Sequence, residues 1–185
     1  GTSDEHVAAM RRAIDQGLPS TIVQSRAPIV SSEEVESVSA DPPTELKQAL
    51  QAGRFVTTVE MRPPKGIATQ KMVASAAMLG EAGADFLDIA DIPLARMRMS
   101  AWAAAHLVQT HADIETILHF PTRGRNLLRI QADLLAAHAL GVRNLFVTMG
   151  DPARIGDYPD ASDDYDLAST GLIKLLKERM NVGLD

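Results

Sequence analysis

The chain has 185 residues, of which 45% are hydrophobic and 23% charged, a composition typical of a globular protein with a sizeable core. Its formal net charge of -6 argues against a surface that binds nucleic acid or anionic membranes. It contains no cysteine, which excludes disulfides, thiolate metal ligands and a cysteine nucleophile. No apolar run approaches the roughly 20 residues of a membrane helix, and we expect a cytoplasmic protein.

The N-terminal region differs from the rest of the chain. Four apolar residues recur there at helical spacing and predict one shared face: Val7, Met10, Ala13 and Ile14. Gly17 ends this pattern, and residues 19–43 are rich in Ser, Glu and Pro without periodicity, which predicts an extended linker. A short helix follows the linker, with Thr44 as its N-cap and Gly53 at its end.

Strand-like runs and helical segments alternate through the remainder of the chain, with a period of about 30 residues. The runs are FVTTVEM, FLDIAD, ILHFPT and LFVTMGD, and they begin at Phe55, Phe86, Ile117 and Leu145. This rhythm predicts βα units and a parallel sheet. No G-x-G-x-x-G motif follows any strand, which disfavours a dinucleotide-binding doubly wound sheet. Four units are half of a (β/α)8 barrel of about 250 residues. We therefore predict an α/β fold: the N-terminal half of a TIM barrel, preceded by a helix and an extended linker.

One ionisable residue stands near the end of each predicted strand: Glu60, Asp91, His119 and Asp151. Catalytic groups of a barrel lie at the carboxyl ends of its strands. Four ionisable residues at equivalent positions of the repeating βα unit therefore indicate a functional site. Simpler interpretations remain open for each. Asp91 and Asp151 both precede turns, Glu60 could pair with Arg62 or Lys65, and a lone histidine is more often structural.

Two polar stretches have less certain roles. Arg123 and Arg125 stand at a predicted helix start, where the helix dipole disfavours cations, so either a bound anion or a solvated basic turn would explain them. Asp164 or Asp166 is expected to cap the last helix from a polar loop. The spacing of histidines and carboxylates predicts no metal site.

Several stretches resemble the 5,10-methylenetetrahydrofolate reductases: VEMRPPKG, ILHFPTRGRNLLRIQADLLAAHALGVRNLFVTMGDP and GDYPDA. The E-x-x-P-P and Gly-Asp-Pro motifs, each at a strand end, carry this resemblance. The N-terminal GTSDEHVAAM is similar to the GTTPEHI segment that closes homocysteine S-methyltransferase domains, as in the fused form of the reductase. In those domains two zinc-binding cysteines precede the glycine, so no zinc ligand is expected here.

The resemblance implies three parts. Residues 1–18 are expected to be the C-terminal tail of a methyltransferase domain, and residues 19–43 a linker. Residues 44–185 are expected to form the first four βα units of the reductase barrel. The family's other contacts with cofactor and substrate lie on later strands, so the resemblance places the function in a longer protein, with the 185 residues alone inactive.

The resemblance also implies an activity, the reduction of 5,10-methylenetetrahydrofolate to 5-methyltetrahydrofolate by NADH or NADPH through FAD. Glu60 matches the glutamate that protonates N10 of the folate. Asp151 matches the aspartate that lies beside flavin and pterin and favours the cationic intermediate. His119 matches a histidine that contacts FAD, whereas Asp91, Met149 and Gly150 fall at other flavin-contacting positions.

One departure from the family concerns the flavin phosphates. Many members have arginine where this chain has Met149, and three other cations are candidates for the missing contact: Arg123, Arg125 and Arg154. Two other functions stay open, a folate-binding barrel methyltransferase without redox chemistry and a structural half-barrel between two domains. The expected partner is a folate substrate, with no nucleic acid or membrane, and a homo-oligomer is an open alternative.

Overall fold

The computed structural model describes residues 3–16 and 42–180, and the statements below concern those residues. The helices are α1 (Asp4–Asp15), α2 (Glu45–Gln51), α3 (Gln70–Glu81), α4 (Ala101–Ala112), α5 (Leu127–Ala139) and α6 (Ser169–Glu178). The strands are β1 (Thr58–Met61), β2 (Phe86–Ile89), β3 (Thr116–Pro121) and β4 (Asn144–Thr148). They form one parallel sheet in the order β1-β2-β3-β4. The predicted α/β fold is confirmed, and this sheet with alternating helices is consistent with part of a TIM barrel.

The two faces of the sheet differ in burial because successive side chains on a strand point to opposite sides. The face packed against the helices is apolar and buried: Val59, Met61, Leu87, Ile89, Leu118 and Phe120. The opposite face carries polar residues, with Glu60 paired in register to Asp88, and Phe146 on it is 56% exposed. This open face corresponds to the lumen side of a barrel.

The structure corrects one predicted boundary and shows how the N-terminal helix packs. The first strand begins at Thr58 and not at Phe55, whose side chain is 68% exposed. The predicted N-terminal helix is confirmed as α1, but of its apolar residues only Val7 is fully buried, whereas Met10 is 55% exposed. Helix α1 therefore contacts the domain along a narrow line that runs against α3. Residues 17–41 lie outside the described part of the chain, and they include most of the linker predicted at residues 19–43.

Helix α2 is held at the amino end of the sheet. Thr44 caps it as predicted, accepting a hydrogen bond from the Lys47 backbone N–H at 3.1 Å. The Glu115 carboxylate accepts from the backbone N–H groups of Glu45 and Leu46 at 2.9 and 3.0 Å. Asn144 donates a further hydrogen bond to Glu115. A carboxylate at a helix N-terminus satisfies unpaired amides and complements the helix dipole.

Asp85 immediately precedes β2 and is the second anchor at this end. Its carboxylate accepts from Arg11 at 2.9 Å, from Arg54 at 2.7 Å and from the Thr57 backbone N–H at 2.7 Å. Burial tends to raise the pKa of Asp85, but the Thr57 and Arg54 hydrogen bonds and the two guanidinium charges outweigh it and lower this pKa. Asp85 thereby ties α1 and the segment before β1 to the sheet.

Across the described ranges, every helix is too short or too polar to cross a membrane. Within the same ranges, no three His, Asp or Glu side chains come together in a way that could hold a metal ion.

Candidate functional site

A cavity of about 350 Å³ opens at the carboxyl ends of β2, β3 and β4. The loops that follow these strands supply its walls, among them Asp91, Ile92, Arg123, Gly150, Asp151 and Tyr158. Its volume lies within the range of small-molecule sites. Two of the four predicted strand-end residues, Asp91 and Asp151, therefore come together in one cavity.

Gly150 lines the cavity at a position where only glycine fits. Its φ is +86°, and a Cβ added there would lie 2.8 Å from Cβ of Pro121. Both the left-handed backbone and the lack of space require glycine. Asp151, the next residue, is exposed, and its Oδ2 accepts a hydrogen bond from the Leu94 backbone N–H at 2.6 Å.

Asp91 is held very differently, because its side chain is only 2% exposed. Arg125 donates to its Oδ2 at 2.6 Å. Burial raises the pKa of Asp91, while the charge and hydrogen bond of Arg125 lower it in part, and the net direction is upward. A buried carboxylate with a raised pKa at a cavity wall is typical of functional sites.

The Arg125 side chain is largely buried and contacts several protein groups. It donates to the carbonyl oxygen of Pro121 at 2.5 Å and forms a 3.5 Å ion pair with Asp133. Its guanidinium carbon lies 4.6 Å from the ring centroid of Trp102 and 5.0 Å from that of Phe120. These groups occupy the guanidinium, so Arg125 holds Asp91, and its predicted contact with a phosphate stays a prediction.

Sequence reasoning missed the role of Asp133. It lies on the buried face of α5 with Ile130 and Leu134, and its backbone carbonyl accepts from the Trp102 indole at 2.8 Å. A charged residue within an apolar helical stripe is the signal that could have indicated a buried ion-pair network. Trp102 also packs against Phe120, with ring centroids 5.5 Å apart.

The other two candidate cations differ from each other. Arg123 lines the cavity, but it pairs with Asp163 at 3.5 Å and lies 5.7 Å from the Tyr165 ring centroid. Arg154 is exposed, lies beside the cavity-lining Ala153, and has no ion pair within the described residues. Of the three predicted phosphate contacts, Arg154 is the one whose charge is not already matched.

A negative charge at the start of α5 is supplied by the chain itself. Asp166 accepts a hydrogen bond from the Leu127 backbone N–H at 2.7 Å, and Asn126 caps the same turn by accepting from Arg129 N–H. Asp166 therefore caps α5, and the prediction that it or Asp164 caps the last helix is wrong. Helix α6 begins after Ala168, which forms no side-chain cap.

Glu60 and His119 lie on the open face of the sheet and not in the cavity wall. The Glu60 side chain is 48% exposed and pairs with Arg62 at 3.5 Å, the simpler interpretation left open above. Such an exposed pair stabilises a protein little and leaves the carboxylate accessible. The His119 ring packs against Phe146 with centroids 4.9 Å apart.

Met149 occupies the position where the resemblance expects arginine. Its sulfur accepts a 3.5 Å hydrogen bond from Thr122, and its backbone oxygen accepts from Arg123 N–H at 3.0 Å. The described contacts thus give Met149 a place in the packing between the loops after β3 and β4. Its predicted contact with flavin stays a prediction.

Comparison with known proteins identifies the domain. The sequence model of the family described as methylenetetrahydrofolate reductase matches residues 45–184. A search among curated proteins found no match. The matched region begins at α2 and includes all four strands and the cavity at their carboxyl ends. The chain therefore belongs to the methylenetetrahydrofolate reductase family.

Proposed function

We propose that the protein reduces 5,10-methylenetetrahydrofolate to 5-methyltetrahydrofolate, with FAD as the cofactor and NADH or NADPH as the electron donor. The family is one of FAD-dependent oxidoreductases of folate one-carbon metabolism. The observation that carries the proposal for this chain is the cavity at three successive strand ends, where Asp91, Gly150 and Asp151 meet.

The residues around the cavity fit part of a flavin. Ile92, Met97 and Tyr158 give it an apolar wall suited to an aromatic ring, and Gly150 allows close approach of backbone. We assign a phosphate contact to Arg154, because it is next to the cavity-lining Ala153 and its charge has no ion-pair partner among the described residues. When bound, the flavin supplies the hydride-transfer chemistry.

Two carboxylates take chemical roles in this proposal. Glu60, accessible on the open face, donates a proton to N10 of the folate and so assists opening of its five-membered ring. Asp151 places a negative charge near the positive charge that develops on the folate. A fixed charge in a poorly solvated site stabilises such a developing charge by several kcal/mol.

Residues near the carboxyl ends of the strands take positioning roles. His119 is expected to contact the flavin from the open face, and the buried Asp91 to shape the cavity wall with its Arg125 partner. Met149 and Gly150 are expected to offer backbone groups. The family membership and the placement described above support each of these roles.

The central experiment replaces Glu60 with Gln in the full-length protein. Reduction of the flavin by the nicotinamide should persist, whereas folate reduction should fall by about 100-fold or more, since general acid catalysis contributes 10²–10⁴-fold. Glu81→Gln is the matched control, because Glu81 is exposed at the end of α3, remote from the cavity. Stopped-flow absorbance of the flavin measures both half-reactions.

Two outcomes would contradict the proposal. A full-length preparation that stays colourless after addition of FAD would favour a folate-binding methyltransferase without redox chemistry, or a structural half-barrel. Equal loss of both half-reactions in Glu60→Gln would show that Glu60 maintains structure and is not the acid.

We also infer that a homocysteine S-methyltransferase domain precedes this one. The support is the resemblance of the N-terminal segment, which forms α1 and docks through Arg11 on Asp85. The sequence of the coding region before Gly1 decides the matter: paired cysteines directly upstream support the fusion, and their absence contradicts it.

A further inference from the structure

The loop after β2 has an unusual backbone. Ile92, Leu94 and Ala95 have φ values of 45°, 59° and 51°, in the left-handed region that favours glycine. For a β-branched residue such as Ile92 this conformation is rare. Residues of this kind persist in such conformations only where the surrounding structure holds them, and they cluster at functional sites.

The loop after β4 holds this backbone in place. Asp151 accepts a hydrogen bond from Leu94 N–H at 2.6 Å, and Asp157 accepts from Met97 N–H at 2.8 Å. In return, the Asp157 N–H donates to the Ala95 carbonyl oxygen at 3.1 Å. We call residues 92–97 and 151–157 together the loop clasp.

Gly156 makes this close contact possible. A Cβ added there would lie 2.0 Å from the Ala95 carbonyl oxygen, far inside van der Waals contact. Its φ of -103° is open to any residue, so the space and not the backbone angle requires glycine. An added methyl group at Gly156 must therefore push the two loops apart.

We propose that the loop clasp positions Asp151 for catalysis, with the Leu94 backbone N–H as the positioning group. This inference rests on the proposed function, in which Asp151 stabilises positive charge on the folate. The Leu94 hydrogen bond fixes Oδ2, and Oδ1 has no hydrogen bond within the described residues. One oxygen is thus held while the other is available to the cavity that Asp151 lines.

The physical argument concerns orientation. An exposed carboxylate on a loop rotates freely, and each misplaced orientation weakens its interaction with a charge that develops at one point. A donor held by strained backbone does not follow the carboxylate as it rotates, so it selects one orientation. The clasp would matter little for binding of the flavin and much for the step that creates charge on the folate.

The test introduces Gly156→Ala into the full-length protein. Gly66→Ala is the matched control, because a Cβ added at Gly66 meets no atom within 4 Å. The first measurement is hydrogen–deuterium exchange of peptides covering residues 92–97, which needs no bound cofactor. Faster exchange is expected in Gly156→Ala and wild-type exchange in Gly66→Ala.

The second measurement separates positioning from general damage. Flavin reduction by the nicotinamide should stay within about twofold of wild type, whereas reoxidation of the reduced flavin by folate should slow by about 10- to 100-fold. If Gly156→Ala does not fold, Asp157→Ala removes the acceptor for Met97 N–H without steric load and should give the same split to a smaller degree.

Distinct results overturn the inference. Unchanged exchange at 92–97 shows that the loops do not hold each other. Faster exchange with an unchanged folate half-reaction shows that the clasp does not position Asp151, and equal loss of both half-reactions shows a merely structural role. A wild-type protein without flavin chemistry instead overturns the proposed function, and the exchange result then still decides whether the clasp exists.

Discussion

Strand β2 has an aspartate at each end, and the two carboxylates are held in opposite ways. Asp85, before the strand, accepts from two arginines and a backbone N–H, and its pKa is lowered. Asp91, after the strand, is more deeply buried, has one short arginine contact, and its pKa is raised. At the amino end of the sheet, Asp85 thus joins separate segments of the chain. At the carboxyl end, Asp91 is a buried carboxyl group beside the cavity, where its charged form is unfavourable.

This contrast shows how similar residues serve different purposes. A carboxylate with several donors favours its charged form and contributes stability at neutral pH. A buried carboxylate that is paired with one arginine contributes more to a unique arrangement of the surrounding side chains than to stability. Barrel enzymes place their catalytic groups at the carboxyl ends of the strands, and here that end is where the buried Asp91 carboxyl group lies.

The largest expected effect comes from replacing Arg125 with Met. Asp91 and Asp133 then lose a buried partner, and we expect a loss of about 3–5 kcal/mol in the free energy of unfolding. Arg54→Met is the counterpart at the other end. Its side chain is 47% exposed and Asp85 keeps Arg11 and Thr57, so a loss below about 1 kcal/mol is expected.

Urea unfolding followed by circular dichroism compares these two variants. Losses of equal size would show that the two ends of β2 do not differ in the way described. The penalty of Arg125→Met should also grow as pH rises above 3.8, the ordinary pKa of Asp91, because an unpartnered buried carboxyl resists ionisation.

The next effect is a difference in pH dependence between Asp85→Asn and Asp91→Asn. Because the pKa of Asp85 is lowered on folding, its contribution is present above pH 3.8 and is lost as pH falls through the folded value. Asp85→Asn should therefore cost about 1–3 kcal/mol at pH 7 and converge with wild type in acid.

The contribution of Asp91 to stability has the opposite dependence on pH. Its pKa is raised on folding, so its contribution is present below pH 3.8 and is lost as pH rises through the folded value. Relative to wild type, Asp91→Asn should gain stability as pH rises. Unfolding midpoints of the two variants, measured between about pH 3 and pH 8, should have opposite slopes against wild type, and parallel slopes would contradict the assignment.

The smallest change in the free energy of unfolding is expected for Arg11→Met. Arg11 is 30% exposed on the side chain, and its pair with Asp85 is expected to contribute less than about 1 kcal/mol. Helix α1 should nevertheless lose protection, because Arg11 is one of its few links to the domain beside the buried Val7. Hydrogen exchange of residues 4–15 measures this loss, and unchanged protection would show that Val7 alone holds the helix.

The sequence predicted the parts of the fold that depend on local pattern. The alternation of strand and helix gave four βα units, and Thr44 was recognisable as a cap from its position before a helix. The strand-end residues were also predictable, since the repeat places them in phase. Asp91 and Asp151 do meet in one cavity.

Contacts between distant segments were beyond the reach of local pattern. Asp166 caps a helix that begins 39 residues before it, and Asp151 binds a backbone N–H 57 residues away. Nothing in the local spacing of Arg125 distinguishes a cation that binds phosphate from one enclosed by Asp91, Asp133 and two rings. Only the three-dimensional arrangement makes that distinction.

The anchoring of α2 has a consequence for the order in which the domain folds. Glu115 reaches the α2 amides across 69 and 70 residues of chain, and Thr44 donates to Asn144 across 100 residues. Closing such long loops is entropically costly until the intervening units have formed. Helix α2, although it precedes the sheet in the chain, is therefore expected to dock late, once β3 and β4 are in place.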